Sequence, residues 1–387
     1  MIRFLTCGES HGKMLSVIID GFPAGMAIDV NEINNDLARR QKGHGRGSRS
    51  AGLEQDKAQI ISGVRWGFTT GAPIGILIEN RDWANRKREM SLDIKDKSVK
   101  YIKTKPRPGH ADLAGALKYG ADDITPILER ASARSTASQV AAGSIFKQYL
   151  RNFGIETIAF TECIGEIYMT GEYKIKNINQ AVKDIESSAV RCPDKALTKE
   201  MIKYIDEIKK AGDTLGGIIK AEAHGAPAGL GSYTQWDERI DAEIARALMS
   251  IPSIKGVEIG EASHSAFSIG SAVHDEIYYS KQKGYYRKTN RCGGVEGGIT
   301  NGETVTAYVA VKPIPTLLKP LNSVDMKTKK SVKGQIVRSD VCVVPSAVVV
   351  VEAMMAYAIA MAHNKKFGGD NIEDTKKAQK EYLKRIK

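Results

Sequence analysis

Apolar positions along this chain follow two rhythms, interleaved without a fixed order. Alternation with a period of two marks strands at 2–6 and 14–19, on either side of Gly8-Glu9-Ser10-His11-Gly12. A turn at 22–25 leads to a helix that Asp29 can cap, with Glu32 completing a capping box and Ile33 and Leu37 on one face. Strand-like runs recur at 58–64 and 74–79, then at 217–223 and 303–312. Helical spacing predicts a long helix over 132–153, with Val140, Phe146, Tyr149, Leu150 and Phe153 on its stripe and Gly154 as its stop. Charged amphipathic helices are expected at 177–189 and 199–211, and a further helix at 240–248. Residues 80–111 lack a periodic apolar stripe and predict a long functional loop. The run 347–362 is nearly all apolar but short for a membrane span and carries Glu352, which predicts a buried helix. The last fourteen or so residues are mostly charged, and fraying is expected there. Helices mixed with paired strands, without regular strand–helix alternation, argue α+β. No proline- or serine-rich linker divides residues 1–387, so one domain is expected.

Composition changes the picture in one respect. A net charge of +12 points to an anionic partner, either nucleic acid or small polyanions. The five cysteines are odd in number and widely spaced, with no CxxC pair, so neither a disulfide framework nor a metal site is indicated. The first residues lack the charged and apolar regions of a signal peptide, and a cytoplasmic, membrane-free protein is expected.

Several segments could carry chemistry. Gly8–Gly12 matches a G-x-S-x-G nucleophile elbow in letters, but a strand follows it where the elbow needs a helix, which argues against a serine hydrolase. His11 in this glycine-flanked loop remains able to approach a ligand. The segment 39–49 sets Arg39, Arg40, Arg46 and Arg49 among glycines, where guanidinium forks can grip phosphate or carboxylate. It lacks the interleaved aromatics of a nucleic-acid tail. Arg107-Pro108-Gly109-His110 is a stiff loop carrying one imidazole, the side chain suited to protonating a departing phosphate near neutral pH. Arg130-Ala131-Ser132-Ala133-Arg134 opens the long helix as an anion site. Gly293–Gly298 and Lys312-Pro313 add a close backbone approach with a cation. Arg338-Ser339-Asp340 precedes the apolar helix, where a lone Asp is ordinarily a cap.

In identity and order, these blocks resemble the chorismate synthase family across essentially the whole chain. The resemblance implies a helical core sandwiched between two antiparallel β-sheets, assembled as a homotetramer. It implies loss of phosphate from 5-enolpyruvylshikimate 3-phosphate by an anti-1,4 elimination that needs reduced FMN but consumes no electrons, with NADPH as a candidate reductant. By position it implies catalytic roles for His11, His110 and Asp340, and substrate contacts from Ser10, Arg49, Arg107, Ser132, Arg134 and Arg338. FMN contacts would come from Arg130, Ala131, Ser132, Pro252, Ser253, Gly297, Lys312, Pro313, Ile314, Pro315, Thr316 and Arg338, and NADP contacts from Arg40 and Arg46. Many relatives carry Asn-Ala at 252–253, hydroxyls at 314–316 and Ser at 131, so some flavin hydrogen bonds here are expected from backbone or water. The anionic substrate and cofactor account for the basic segments without nucleic acid.

Overall fold

A computed structural model describes residues 2–47, 56–335 and 340–386. Its two larger sheets are antiparallel throughout. The first runs Arg3–Cys7, Met14–Asp20, Ile74–Glu79, Ala58–Ser62 in spatial order. The second runs Ile254–Ile259, Val305–Val311, Gly217–His224, Glu156–Ile164, Ile167–Tyr168. Each strand's alternation sorts its side chains between two faces. Leu15, Val17 and Ile19 are fully buried while Ile18 is exposed, and Ile219, Ala221 and Ala223 join the core while Lys220 and Glu222 take the opposite face.

Helices fill the space between the sheets. Helix Thr136–Arg151 touches strands of both, and helix Val344–Phe367 packs on it and on the second sheet. The two helices meet at Gly143, where an added Cβ would lie 2.2 Å from the Cβ of Ala353, so no larger residue permits this approach. Helix Val30–Gln41 packs on Thr136–Arg151, and Ile240–Met249 on Val344–Phe367. This is the sandwich implied by the sequence resemblance.

Helix Val344–Phe367 is apolar and long enough to cross a bilayer, yet 89% of its most apolar window is buried inside the protein. It carries Glu352, which accepts from Arg39 Nη1 at 3.0 Å and Nη2 at 2.9 Å and from Lys147. Burial acts to raise the Glu352 carboxyl, but these two cations overcome it and hold the group down at about 2. In the same helix, His363 Nδ1 lies 3.0 Å from the Tyr149 hydroxyl and Nε2 lies 2.7 Å from Gln379 Oε1. Burial pushes this imidazole down to about 4, against the hydrogen bond it donates to Gln379 Oε1.

Several expectations are corrected. The helix expected over 132–153 starts at Thr136, after a short helix Thr125–Arg130 and a 3-10 turn Ala133–Ser135 that bends the chain around the site. The 177–189 and 199–211 helices span Ile178–Ser187 and Lys195–Ala211, the latter starting earlier because Asp194 caps Ala196 and Leu197. Asp29 does cap its helix through Asn31 N–H, but its own N–H donates to Gln148, and Glu32 pairs with Arg151 instead of closing a capping box. The segment 80–111 contains a helical turn, Trp83–Arg86, and two 3-10 turns, braced by Glu89 between Arg86 and Lys103. The tail is helix Ile372–Ile386, docked by Ile372, Thr375 and Gln379 and by the Tyr382 hydroxyl, which donates to Ala228 O at 3.0 Å.

Candidate active site

A cavity of about 360 Å³ opens where the edge of the first sheet meets the ends of the central helices. That volume lies in the usual range for small-molecule sites. Its walls are loops anchored on rigid elements. The Gly8–Gly12 loop supplies Ser10 and His11, the 107–111 loop supplies Arg107 and His110, and the turn before the long helix supplies Ala131 and Ser132. Pro252, Ser253, Lys312, Ile314, Pro315 and Thr316 close another side, with Asp340 and Val343 at the start of the apolar helix.

The Gly8–Gly12 loop is tightly fixed. Gly8 has φ +104°, and a Cβ there would lie 2.4 Å from Met14 O, so only glycine fits. Asn80 Nδ2 donates to Glu9 O at 3.0 Å and Gly12 O at 2.8 Å. His11 N donates to Glu129 Oε2 at 2.8 Å, and His11 Nδ1 lies 2.8 and 2.9 Å from the two oxygens of the same carboxylate. Its Nε2 is buried with no hydrogen bond, the Asp82 carboxylate standing 3.7 Å away.

The 107–111 loop is organised by Asp112. This fully buried carboxylate accepts from Arg107 N at 3.1 Å, Nε at 2.9 Å and Nη2 at 3.2 Å, and pairs with His110 Nδ1 at 2.5 Å. Burial acts to raise the Asp112 carboxyl, but the His110 and Arg107 bonds win and hold it far below the ordinary range. Arg107 Nη1 also donates to Thr316 at 3.1 Å, and Lys312 Nζ donates to Gly109 O, tying this loop to the end of strand Val305–Val311. Burial, then the neighbouring Lys255, push the Lys312 ammonium down. Ser253, whose N-terminal neighbour is Pro252, adopts φ +74°, a left-handed conformation stored at the cavity wall.

Asp340 does not cap the apolar helix, whose N-cap is Val343. It accepts from Gly47 N at 2.7 Å and faces Arg46 Nε at 3.8 Å, joining the glycine–arginine segment to the cavity.

Other sequence candidates lie behind or beside the cavity wall. Arg134 is buried and donates to Asn80 at 2.9 Å and Asp56 at 2.7 Å. Arg40 is 5% exposed and donates to Thr136 at 2.8 Å and Ala133 O at 3.0 Å, so it braces the turn before the long helix. Arg46 donates to Arg40 O at 2.5 Å. Arg130 is exposed and donates to Gly8 O and to Thr6, holding the loop's entry strand. Pro313 packs against Gly216, and Gly297 sits in the hairpin of Val295–Glu296 and Ile299–Thr300; neither lines the cavity. Arg49 and Arg338 lie outside the described residues. Asp112, Glu129, Asn80 and Asp56 were not assigned from sequence. Asp112, two residues after a loop histidine, is the one a local pattern could have flagged.

A second cavity, about 430 Å³, lies on the outer face of the second sheet around Lys220, Glu222 and His224. These groups satisfy one another, at 3.0 Å for Lys220–Glu222 and 2.8 Å for His224–Glu222.

Architecture and cavity define an α+β enzyme of anionic small molecules. The chorismate synthase family profile matches residues 2–363. The chain is 51% identical over 382 residues to the chorismate synthase of Alkaliphilus metalliredigens, covering 99% of both, and 47% identical over 395 residues to that of Aquifex aeolicus, covering 100% of this chain and 98% of that one. A crystal structure of chorismate synthase superposes with a TM-score of 0.80 at 40% identity, over 100% of this chain and 98% of the other. The chain belongs to the chorismate synthase family, and it is a lyase of that family.

Proposed function

We propose that the chain removes phosphate from 5-enolpyruvylshikimate 3-phosphate by anti-1,4 elimination, giving chorismate and phosphate, with reduced FMN bound beside the substrate. The observation that carries this reading is the convergence of His11, His110, Arg107, Lys312 and Asp340 on one cavity, from parts of the chain far apart in sequence. The lining fits such a pair of ligands. Leu128, Ala131, Pro252, Ile314, Pro315 and Val343 offer apolar surface to a flat ring, and Arg107, Lys312, Ser10, Ser132 and Thr316 offer donors to anionic groups. The buried Nε2 of His11, without a hydrogen bond but 3.7 Å from Asp82, supports a polar ligand atom at this wall.

When bound, reduced FMN would supply the electron density that eases breaking of the allylic C–O bond, with no net change in its oxidation state. His110 gives a proton to the departing phosphate, Arg107 and Lys312 bind anionic groups, and Asp340 assists removal of the ring proton. His11 holds charge on the reduced ring system. Arg134 and Arg40 stiffen the turn that carries Ser132. Walls of this kind position the reactants and keep water out. Arg49 and Arg338 belong to the substrate clamp in this reading, and Arg338 also to the flavin site. In the same reading Arg130, Pro313 and Gly297 belong to the flavin site, and Arg46 and Arg40 to an NADP site. A cytoplasmic, single-domain chain working as a homotetramer completes the reading, with neither nucleic acid nor membrane as partner.

The spectrum of reduced FMN tests the shared site. Anaerobic addition of protein and the phosphorylated enol ether together is expected to shift the reduced-flavin absorbance more than either alone. An unchanged spectrum at saturating concentrations would place the two ligands apart and contradict the proposal.

A further inference from the structure

His11 and His110 come from different loops, yet each is held by a carboxylate at the same ring atom. We infer that Glu129 and Asp112 are positioning residues for the elimination, each fixing the tautomer of one cavity histidine; this rests on the reading of the cavity given above.

An ionised carboxylate only accepts hydrogen bonds, so an imidazole nitrogen 2.8 Å from Glu129 or 2.5 Å from Asp112 must carry the proton. In both rings that atom is Nδ1, which leaves Nε2 to exchange a proton, in His110 with a ligand and in His11 with a ligand or with Asp82, 3.7 Å away. A carboxylate at Nδ1 also stabilises the imidazolium whenever it forms and keeps the ring from rotating. Both acids are out of solvent, at 2% exposure for Glu129 and 0% for Asp112, so water does not compete for these bonds.

The two acids differ in what else they hold. Asp112 spends three further bonds on Arg107, so one carboxylate orients both the imidazole and the guanidinium of its loop. Glu129 grips His11 by ring and main chain together. Its neighbours complete the anchor: Ser10 N donates to Glu129 O at 3.1 Å, and Arg130 binds the carbonyls leading into the loop. The single short segment 129–132 therefore sets both the place and the protonation pattern of His11.

Substitution separates positioning from plain support. In Glu129→Gln the oxygen can still accept from His11 N, but the amide nitrogen can donate to Nδ1 and move the ring proton to Nε2. Turnover is expected to fall about 10²–10⁴-fold with half-saturation within about threefold and flavin binding unchanged. Asp112→Asn is expected to lower turnover and also raise half-saturation, because Arg107 loses its carboxylate. Turnover within threefold of the parent in Glu129→Gln would overturn the assignment. A neutron structure of the unmodified protein, exchanged into heavy water, needs neither variant to fold and no turnover. It should show deuterium on Nδ1 of both histidines. A neutral ring deuterated only at Nε2 would overturn the inference for that histidine, whatever the fate of the proposed reaction.

Discussion

His110→Ala is expected to lower turnover about 10²–10⁴-fold, the range for a lost general acid, while the protein folds and binds flavin as before. His110 stands on the cavity wall at the end of a loop that its own structure keeps rigid. Pro106 and Pro108 limit the backbone, Asp112 holds the ring, and Lys312 holds Gly109 O. Removing the imidazole leaves that scaffold in place, because Arg107 keeps its three bonds to Asp112. The loss should therefore appear in turnover and not in stability. Steady-state kinetics at saturating substrate check this, and an unchanged turnover would show that phosphate leaves without this proton.

Glu352→Ala is expected to destabilise the fold by about 3–5 kcal/mol, because it leaves the partly buried Arg39 and Lys147 without the buried carboxylate between them. Asp36 also meets both cations, at 2.7 Å from Arg39 and 3.1 Å from Lys147, which favours the lower end of that range. At about 2–4 °C per kcal/mol, the lower end of that range gives a fall in Tm of about 6–12 °C. The same network shapes the acid limb. Since the folded carboxyl titrates near 2 and an unperturbed one near 4.5, its contribution is complete above about 4.5 and is lost as pH falls towards 2. His363 acts at higher pH: unfolded chains take up its proton from about 6.5 downward but the folded protein only near 4, so its contribution shrinks across that window. Thermal scans between pH 7 and 3 check both, and Glu352→Gln should show a shallower loss below 4.5. An unchanged Tm in Glu352→Ala would mean that the cations find other partners.

Legibility in the sequence followed locality. Gly8–Gly12, 107–110 and 130–134 are contiguous, so their glycines, prolines and cations announce a site without any knowledge of the fold. The partners that tune them are distant: Glu129 is 118 residues from His11, and Asp340 is 293 residues from Gly47. No periodicity or spacing could pair them. Asp340 looked like a cap because an apolar helix follows it, but Val341 and Cys342 intervene before the N-cap at Val343. The packing around Arg40 and Arg134 was not legible either: arginines are seldom buried, and here Asp56 lies between them, 3.6 Å from one and 2.7 Å from the other. The last helix was hidden by its charge. Its apolar and amide positions, Ile372, Thr375, Gln379 and Tyr382, recur every three or four residues, but too few are aliphatic to stand out.

Anaerobic turnover with chemically reduced FMN tests the central claim most directly. Phosphate and chorismate should appear together, many times over for each flavin, with no oxidised FMN accumulating and no product when the flavin is left out. Oxidised flavin rising in step with chorismate, or full activity without flavin, would contradict a redox-neutral elimination in this cavity.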